Sequence, residues 1–303
     1  MNDRVVRFGP HAALCGVVSR PAVLEADAPG ILLLTAAMEH RVGPNRFYVK
    51  LARALAENGF PVLRFDFSGV GDSGSRRDGM PFQRSAIEET QAAMDVLAAE
   101  TGCRSFVLAG ICMGATISFR VACVDTRIVG VTLINAPQYL DDHGPDVMRT
   151  IWRLNQIDHY RQVKIFDWRS WRKLLSGRSH YATLLGAGLA KLRAAQMLKN
   201  LRSDAGGDAA AFERLRGRGV GLLLVFAERD TGLEYLRLLL GRQVQEWRKD
   251  VNPRVEVIGG TDHMLTRLES QQYVQRLMLE WGSTRFLPRS AGADPAVVAG
   301  PQR

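Results

Sequence analysis

The sequence predicts an α/β protein, a mostly parallel sheet with helices on both faces and an inserted helical cap. Three observations predict it. Short unbroken apolar runs, among them GILLLT at 30–35 and GLLLVFA at 221–227, fit strands buried on both faces. Segments with helical spacing separate them, as at Phe47, Leu51 and Leu55. Between 136 and 218 this alternation stops, giving way to basic amphipathic stretches with Trp152, Trp168 and Trp171.

In order, 5–18 holds one or two early strands, and Pro29-Gly30 turns into a buried strand at 30–35. A loop at 36–45 precedes a helix at 46–58, stopped by Asn58-Gly59. A strand at 60–67, a Gly- and Ser-rich loop at 68–79 and a helix at 85–100 with Ile87, Met94 and Leu97 inward follow. A strand at 106–109, a helix at 115–122 and a strand at 128–135 complete the first part of the core. After the cap, the expected elements are a strand at 220–227, a helix at 233–247, a strand at 254–258 and a helix at 270–281. The core is therefore 1–135 with 219–287 and the cap 136–218, with a turn at 205–208 inside it. The Pro/Gly/Ala-rich tail at 288–303 is expected to be disordered.

Composition narrows the class. A chain of 303 residues, 46% hydrophobic and 23% charged, is long enough for one large core and reads as soluble and globular. No apolar run is long enough to span a membrane. The first twenty residues lack the apolar core of a secretory signal. Cys15, Cys103, Cys112 and Cys123 have no paired spacing, so neither a disulfide framework nor a metal site is expected, and reduced thiols in the cytoplasm are. The +9 net charge is concentrated: 149–202 carries twelve Lys/Arg against Asp158 and Asp167. Such a stripe suits an acidic protein, an anionic substrate or nucleic acid, and a solvated basic face is the plain alternative.

The chemistry centres on 105–122, SFVLAGICMGATISFRVA. A strand, the pentapeptide Gly110-Ile111-Cys112-Met113-Gly114 and a helix make a nucleophile elbow, with Cys112 where Ser is usual. The turn strains the nucleophile's backbone, and a Cβ at Gly110 or Gly114 would collide with the adjoining strand and helix. A helix N-terminus favours a thiolate there. A buried, inert cysteine is the bland alternative.

In this architecture the order is nucleophile, acid, histidine. The acid belongs in Glu228-Arg229-Asp230-Thr231-Gly232, after the post-cap strand; Asp230 is favoured and Glu228 is second. His263, in the Gly-rich loop after the last strand, is the one histidine downstream of the cap; His11, His40, His143, His159 and His180 precede or occupy it. The oxyanion hole calls for the Met113 N–H and a second amide near Ala37 or Met38, after the strand at 30–35. Gly69-Val70-Gly71-Asp72-Ser73-Gly74 matches G-x-G-x-x-G, but Ser75 to Pro81 cannot continue a helix, so no nucleotide cofactor is expected. That loop is expected to brace the elbow and the loop at Ala37 instead.

Gly110–Gly114, Asp230 and His263 in this order resemble the α/β-hydrolase superfamily. The stretch 40–74, HRVGPNRFYVKLARALAENGFPVLRFDFSGVGDSG, resembles the serine-aminopeptidase-like hydrolases and the hydrolases associated with the exosortase A system. The likeness runs over roughly 30–281 and is weakest in the cap. It implies an α/β-hydrolase fold and a Cys112–His263–Asp230 triad. Cysteine in place of serine departs from most members and is shared with dienelactone hydrolases, polyhydroxyalkanoate synthases and acyl-shuttling enzymes of assembly lines. Acyl transfer or thioester hydrolysis through an acyl-cysteine is thus the expected activity, with an acyl thioester or ester as substrate. An acidic acyl-carrier protein is the expected partner of the basic cap. A carboxylester or lactone hydrolase is the enzymatic alternative, and an interaction protein on a hydrolase scaffold the other.

Overall fold

The computed structural model describes residues 2–25, 27–36, 39–140 and 207–287. Eight strands form one sheet: β1 (Asn2–Phe8), β2 (Leu14–Arg20), β3 (Gly30–Leu34), β4 (Val62–Asp66), β5 (Phe106–Ile111), β6 (Ile128–Ile134), β7 (Gly221–Ala227) and β8 (Arg254–Ile258). Their order is β1-β2-β4-β3-β5-β6-β7-β8. Only β2 breaks the parallel set, pairing antiparallel with both β1 and β4. A parallel sheet needs a crossover between successive strands and ends with both faces covered.

The helices are α1 (Phe47–Glu57), α2 (Phe82–Thr101), α3 (Met113–Val124), α4 (Asp208–Gly217), α5 (Thr231–Leu240), α6 (Gln243–Trp247) and α7 (Leu268–Phe286). Alternation along each strand divides the core in two. Leu223 and Val225 join Ile31, Leu33, Val107 and Ala109 under α1 and α7. Leu222, Leu224 and Phe226 join Leu32, Leu34, Leu108 and Val131 under α2, α3, α4 and α5. Phe47, Leu51 and Leu55 are all buried, as their spacing predicts.

Two helices differ from expectation. The helix expected at 233–247 is two, because Gly241 at φ +60° caps α5 and its N–H bonds the Arg237 carbonyl. The helix expected from 85 starts at Phe82, directly after Pro81, whose extended backbone serves as the N-cap. Among the described residues no helix is long and apolar enough to cross a membrane.

Most of the expected cap, the whole basic stripe and the tail at 288–303 lie outside the described residues. The two stems flanking 141–206 are described, and they meet. The Leu140 N–H donates to Asp208 Oδ1 at 2.6 Å, and Asp208 Oδ2 accepts from the Tyr235 hydroxyl at 2.6 Å. Gly207, expected in a turn, is the N-cap of α4.

Candidate active site

The site stands at the carboxyl ends of the central strands. At the β5–α3 junction Cys112 adopts φ +54°, ψ −119°, a region costly for a residue with a Cβ. Its N–H donates to the Ile134 carbonyl at 2.9 Å, tying the elbow to β6. The neighbouring glycines are required by contact. A Cβ at Gly110 would lie 2.6 Å from the Gly114 oxygen and 2.8 Å from the Ala115 nitrogen. A Cβ at Gly114 would run into the end of β3, 2.9 Å from the Leu34 carbonyl carbon and 3.0 Å from the Thr35 oxygen. The Cys112 side chain is partly exposed. Met113 opens α3, and its N–H bonds no described group.

Asp230 lies three residues beyond β7 and caps α5, its Oδ1 accepting the Gly232 N–H at 2.8 Å. Its Oδ2 is 2.6 Å from His263 Nδ1. Glu228 is not in this contact; its N–H bonds the Ile258 carbonyl, linking β7 to β8. Asp230 first and Cys112 second push the His263 pKa up to about 10, with burial opposing them. A ring held that high carries its charge at neutral pH. Ala37 and Met38, the candidates for the second oxyanion amide, lie outside the described residues.

The Gly-rich loop is tied to the loop after β3 at Arg41; Ala37 lies outside the described residues, and among those described no hydrogen bond joins this loop to Gly110–Gly114. Asp66, at the end of β4, is fully buried and takes the Arg41 N–H at 2.6 Å, the Asp72 N–H at 3.1 Å and the Arg41 guanidinium. Arg41 also reaches Asp72 at 2.6 Å. The loop after β3 is thus clamped to the loop after β4. Gly71, at φ +53°, sits where a Cβ would strike Asp66 and His40. His40, Asp66 and Asp72 are close enough to ligate a metal ion together, but Arg41 already supplies a cation to both carboxylates. No helix begins in this loop; α2 starts only after Pro81.

Two positions were not anticipated. Tyr48, wholly buried, donates its hydroxyl to the Leu34 carbonyl and accepts the Ile111 N–H, each at 2.9 Å. It joins the ends of β3 and β5 one residue before Cys112. Burial, above all, raises its pKa, so the hydroxyl stays neutral. Asn135 bonds β7 and the His263 loop. A polar residue directly ending the apolar run IVGVTLI is a visible signal for Asn135. Tyr48 has none, because it sits beside the apolar stripe of α1.

This strand order, with an elbow after β5, an acid after β7 and a histidine after β8, defines an α/β hydrolase. The chain belongs to the alpha/beta hydrolase family, whose model matches residues 39–287. Its fold is similar to that of a Pyrococcus furiosus esterase at 17% identity and TM-score 0.55, covering 95% of this chain and 92% of that one. A Xanthomonas campestris serine hydrolase described as lacking a lid is similar at 17% identity and TM-score 0.51, covering 96% and 97%. A protein of unknown function from Agrobacterium tumefaciens, described as a putative alpha/beta hydrolase, is similar at 12% identity and TM-score 0.52, covering 95% and 100%. At these identities the likeness shows the fold alone. No curated protein matches the chain.

Proposed function

We propose that the chain transfers or hydrolyses acyl groups through an acyl-Cys112 intermediate, with His263 and Asp230 completing the triad. The observation that carries this is the His263 ring, held by Asp230 Oδ2 at 2.6 Å and near enough to Cys112 for the thiol to raise its pKa, with Cys112 strained at the head of α3. The Cys112 thiolate attacks the carbonyl carbon of a thioester, and the Met113 N–H with an amide near Ala37 or Met38 receives the oxyanion. The tetrahedral adduct collapses with cleavage of the donor C–S bond, and the His263 imidazolium protonates the departing thiolate. Acyl-Cys112 remains. Neutral His263 then takes a proton from water or an acceptor as it attacks, the C–S bond to Cys112 breaks, and the ion pair is restored.

Cysteine favours this reading over ester hydrolysis. Passing an acyl group from a thioester to Cys112 is nearly isoenergetic and reversible, whereas an acyl-serine ester would lie downhill. Such an enzyme can hand the group onward. The stripe of basic residues in 149–202 fits an acidic acyl carrier as donor. Carboxylester hydrolysis is the second reading, favoured by membership of a hydrolase family.

The test is intact mass after incubation with a panel of acyl thioesters and esters. One acyl adduct on wild type and none on Cys112→Ala is expected, with Cys112 the fastest of the four cysteines towards iodoacetamide. Adducts retained in Cys112→Ala, or faster alkylation elsewhere, would refute the assignment. Ester turnover with no thioester turnover selects the second reading. For the carrier, Arg172→Glu with Lys173→Glu should slow transfer from a carrier-bound donor at low salt and spare an N-acetylcysteamine donor.

A further inference from the structure

We infer that Asn135 is a positioning residue, whose side-chain amide holds the backbone of His263 in register with Cys112 and Asp230. The inference rests on the triad reading above and adds to it a residue that touches no reacting atom.

Asn135 follows β6 and is fully buried, with φ +48°. Its own N–H donates to the Val225 carbonyl at 2.8 Å, and its Oδ1 accepts the Ala227 N–H at 2.8 Å. Its Nδ2 donates to the His263 carbonyl at 2.6 Å. One residue earlier, the Ile134 carbonyl accepts the Cys112 N–H at 2.9 Å. The dipeptide Ile134-Asn135 therefore bonds the backbone of the nucleophile, the strand that leads to Asp230, and the histidine itself.

The amide orientation is dictated by its partners. Ala227 offers a donor and His263 an acceptor, so the oxygen must face one and the nitrogen the other. Asparagine also tolerates the left-handed backbone better than most residues. The His263 loop lies between β8 and α7, outside any helix or strand, and among the described residues no backbone N–H reaches the His263 carbonyl. Asn135 is thus the anchor of that peptide. The chain on either side is held differently: Asp262 bonds Thr266, and Asn45 Nδ2 bonds the Thr266 carbonyl at 3.0 Å. Without the Asn135 bond, the His263 peptide would depend on its neighbours, where the Leu265 N–H bonds the Asp262 carbonyl at 3.2 Å and Gln271 Nε2 bonds the Leu265 carbonyl at 2.9 Å, and on the Nδ1 contact with Asp230.

Two variants test this. Asn135→Gly suits the positive φ and removes both side-chain bonds. Asn135→Asp keeps an acceptor for Ala227 and removes the donor to His263. Both should lose about 10- to 100-fold in kcat on a small acyl thioester, with KM within threefold of wild type, as misplacement by an ångström does. In Asn135→Gly the His263 limb in the pH profile of Cys112 alkylation should move down from about 10, because Asp230 and Cys112 set it. Asn135→Asp carries the test should the glycine variant fold poorly. An Asn135→Asp enzyme within twofold of wild type would reduce Asn135 to a tie between β6 and β7 and overturn the inference. Failure of the triad reading shows elsewhere, as turnover that survives Cys112→Ala.

Discussion

Asp66 and Asp230 are both buried, both follow or end a sheet strand, and both have a histidine nearby, yet they do opposite work. His40 and His263 are equally exposed, each at 38%. The difference lies in the other donors. Asp66 is saturated by groups that keep their protons: two backbone N–H groups and the Arg41 guanidinium, with His40 standing off at 3.6 Å. Asp230 gives one oxygen to the Gly232 N–H at 2.8 Å and the other to His263 at 2.6 Å. A carboxylate whose cation never titrates is a clamp. A carboxylate whose second partner titrates, and whose partner also feels a cysteine thiol nearby, can orient a proton transfer. Burial does not separate the two; the chemistry of the last donor does.

The largest effect expected from this contrast is on turnover. Asp230→Asn keeps an oxygen for the Gly232 N–H but offers His263 an amide in place of a charge. The ring loses both its tautomer control and the stabilisation of its charged form. Acyl turnover on a small thioester should fall about 10³-fold, while urea unfolding above pH 10, where the ring is neutral folded and unfolded alike, changes little because the α5 cap survives. A rate within tenfold of wild type would make Asp230 a cap with a histidine beside it.

Asp66→Asn should act the other way round. The Arg41 side chain is 11% exposed and would lose a wholly buried counter-ion, keeping only the exposed Asp72. Breaking such a pair costs about 3–5 kcal/mol, visible as an earlier urea midpoint. Turnover of the protein that remains folded should fall less than tenfold, and the His263 limb should not move. A shifted limb would mean that brace and triad form one network, and the comparison would fail.

The same contrast explains what the sequence makes legible. Cys112, Asp230 and His263 can be proposed from the sequence because each has a local mark: the paired glycines of the elbow, the loop just past a buried strand, the histidine after the last strand. The strands are readable because each buries both faces. Tyr48 and Asn135 act through partners 63 and 128 residues away, and Arg41 meets Asp66 across 25. Those pairings exist only once β3, β5 and β6 lie side by side. The break of the helix expected at 233–247 was carried by Gly241, a mark that helical periodicity outvoted.

The smallest effect sharpens the comparison most, because it separates the two sites by pH alone. His263 titrates near 6.5 when unfolded and at about 10 when folded, with Asp230 the first cause and Cys112 the second. Below pH 6.5 both states carry the proton, and the contribution of the charged ring is fully present. Between 6.5 and 10 the folded state binds the proton and the unfolded state does not, so stability falls as pH rises. Above about 10 the contribution is gone. The stability gap between wild type and His263→Gln should therefore be widest at pH 6 and closed near pH 10.5, measured as urea midpoints across that range. The gap between wild type and Asp66→Asn should vary less over the same range, because the guanidinium of Arg41, the cation bonded to Asp66, keeps its charge throughout. A level gap for His263→Gln would mean that the folded site holds no more protons than the unfolded chain over this range, against the raised His263 pKa.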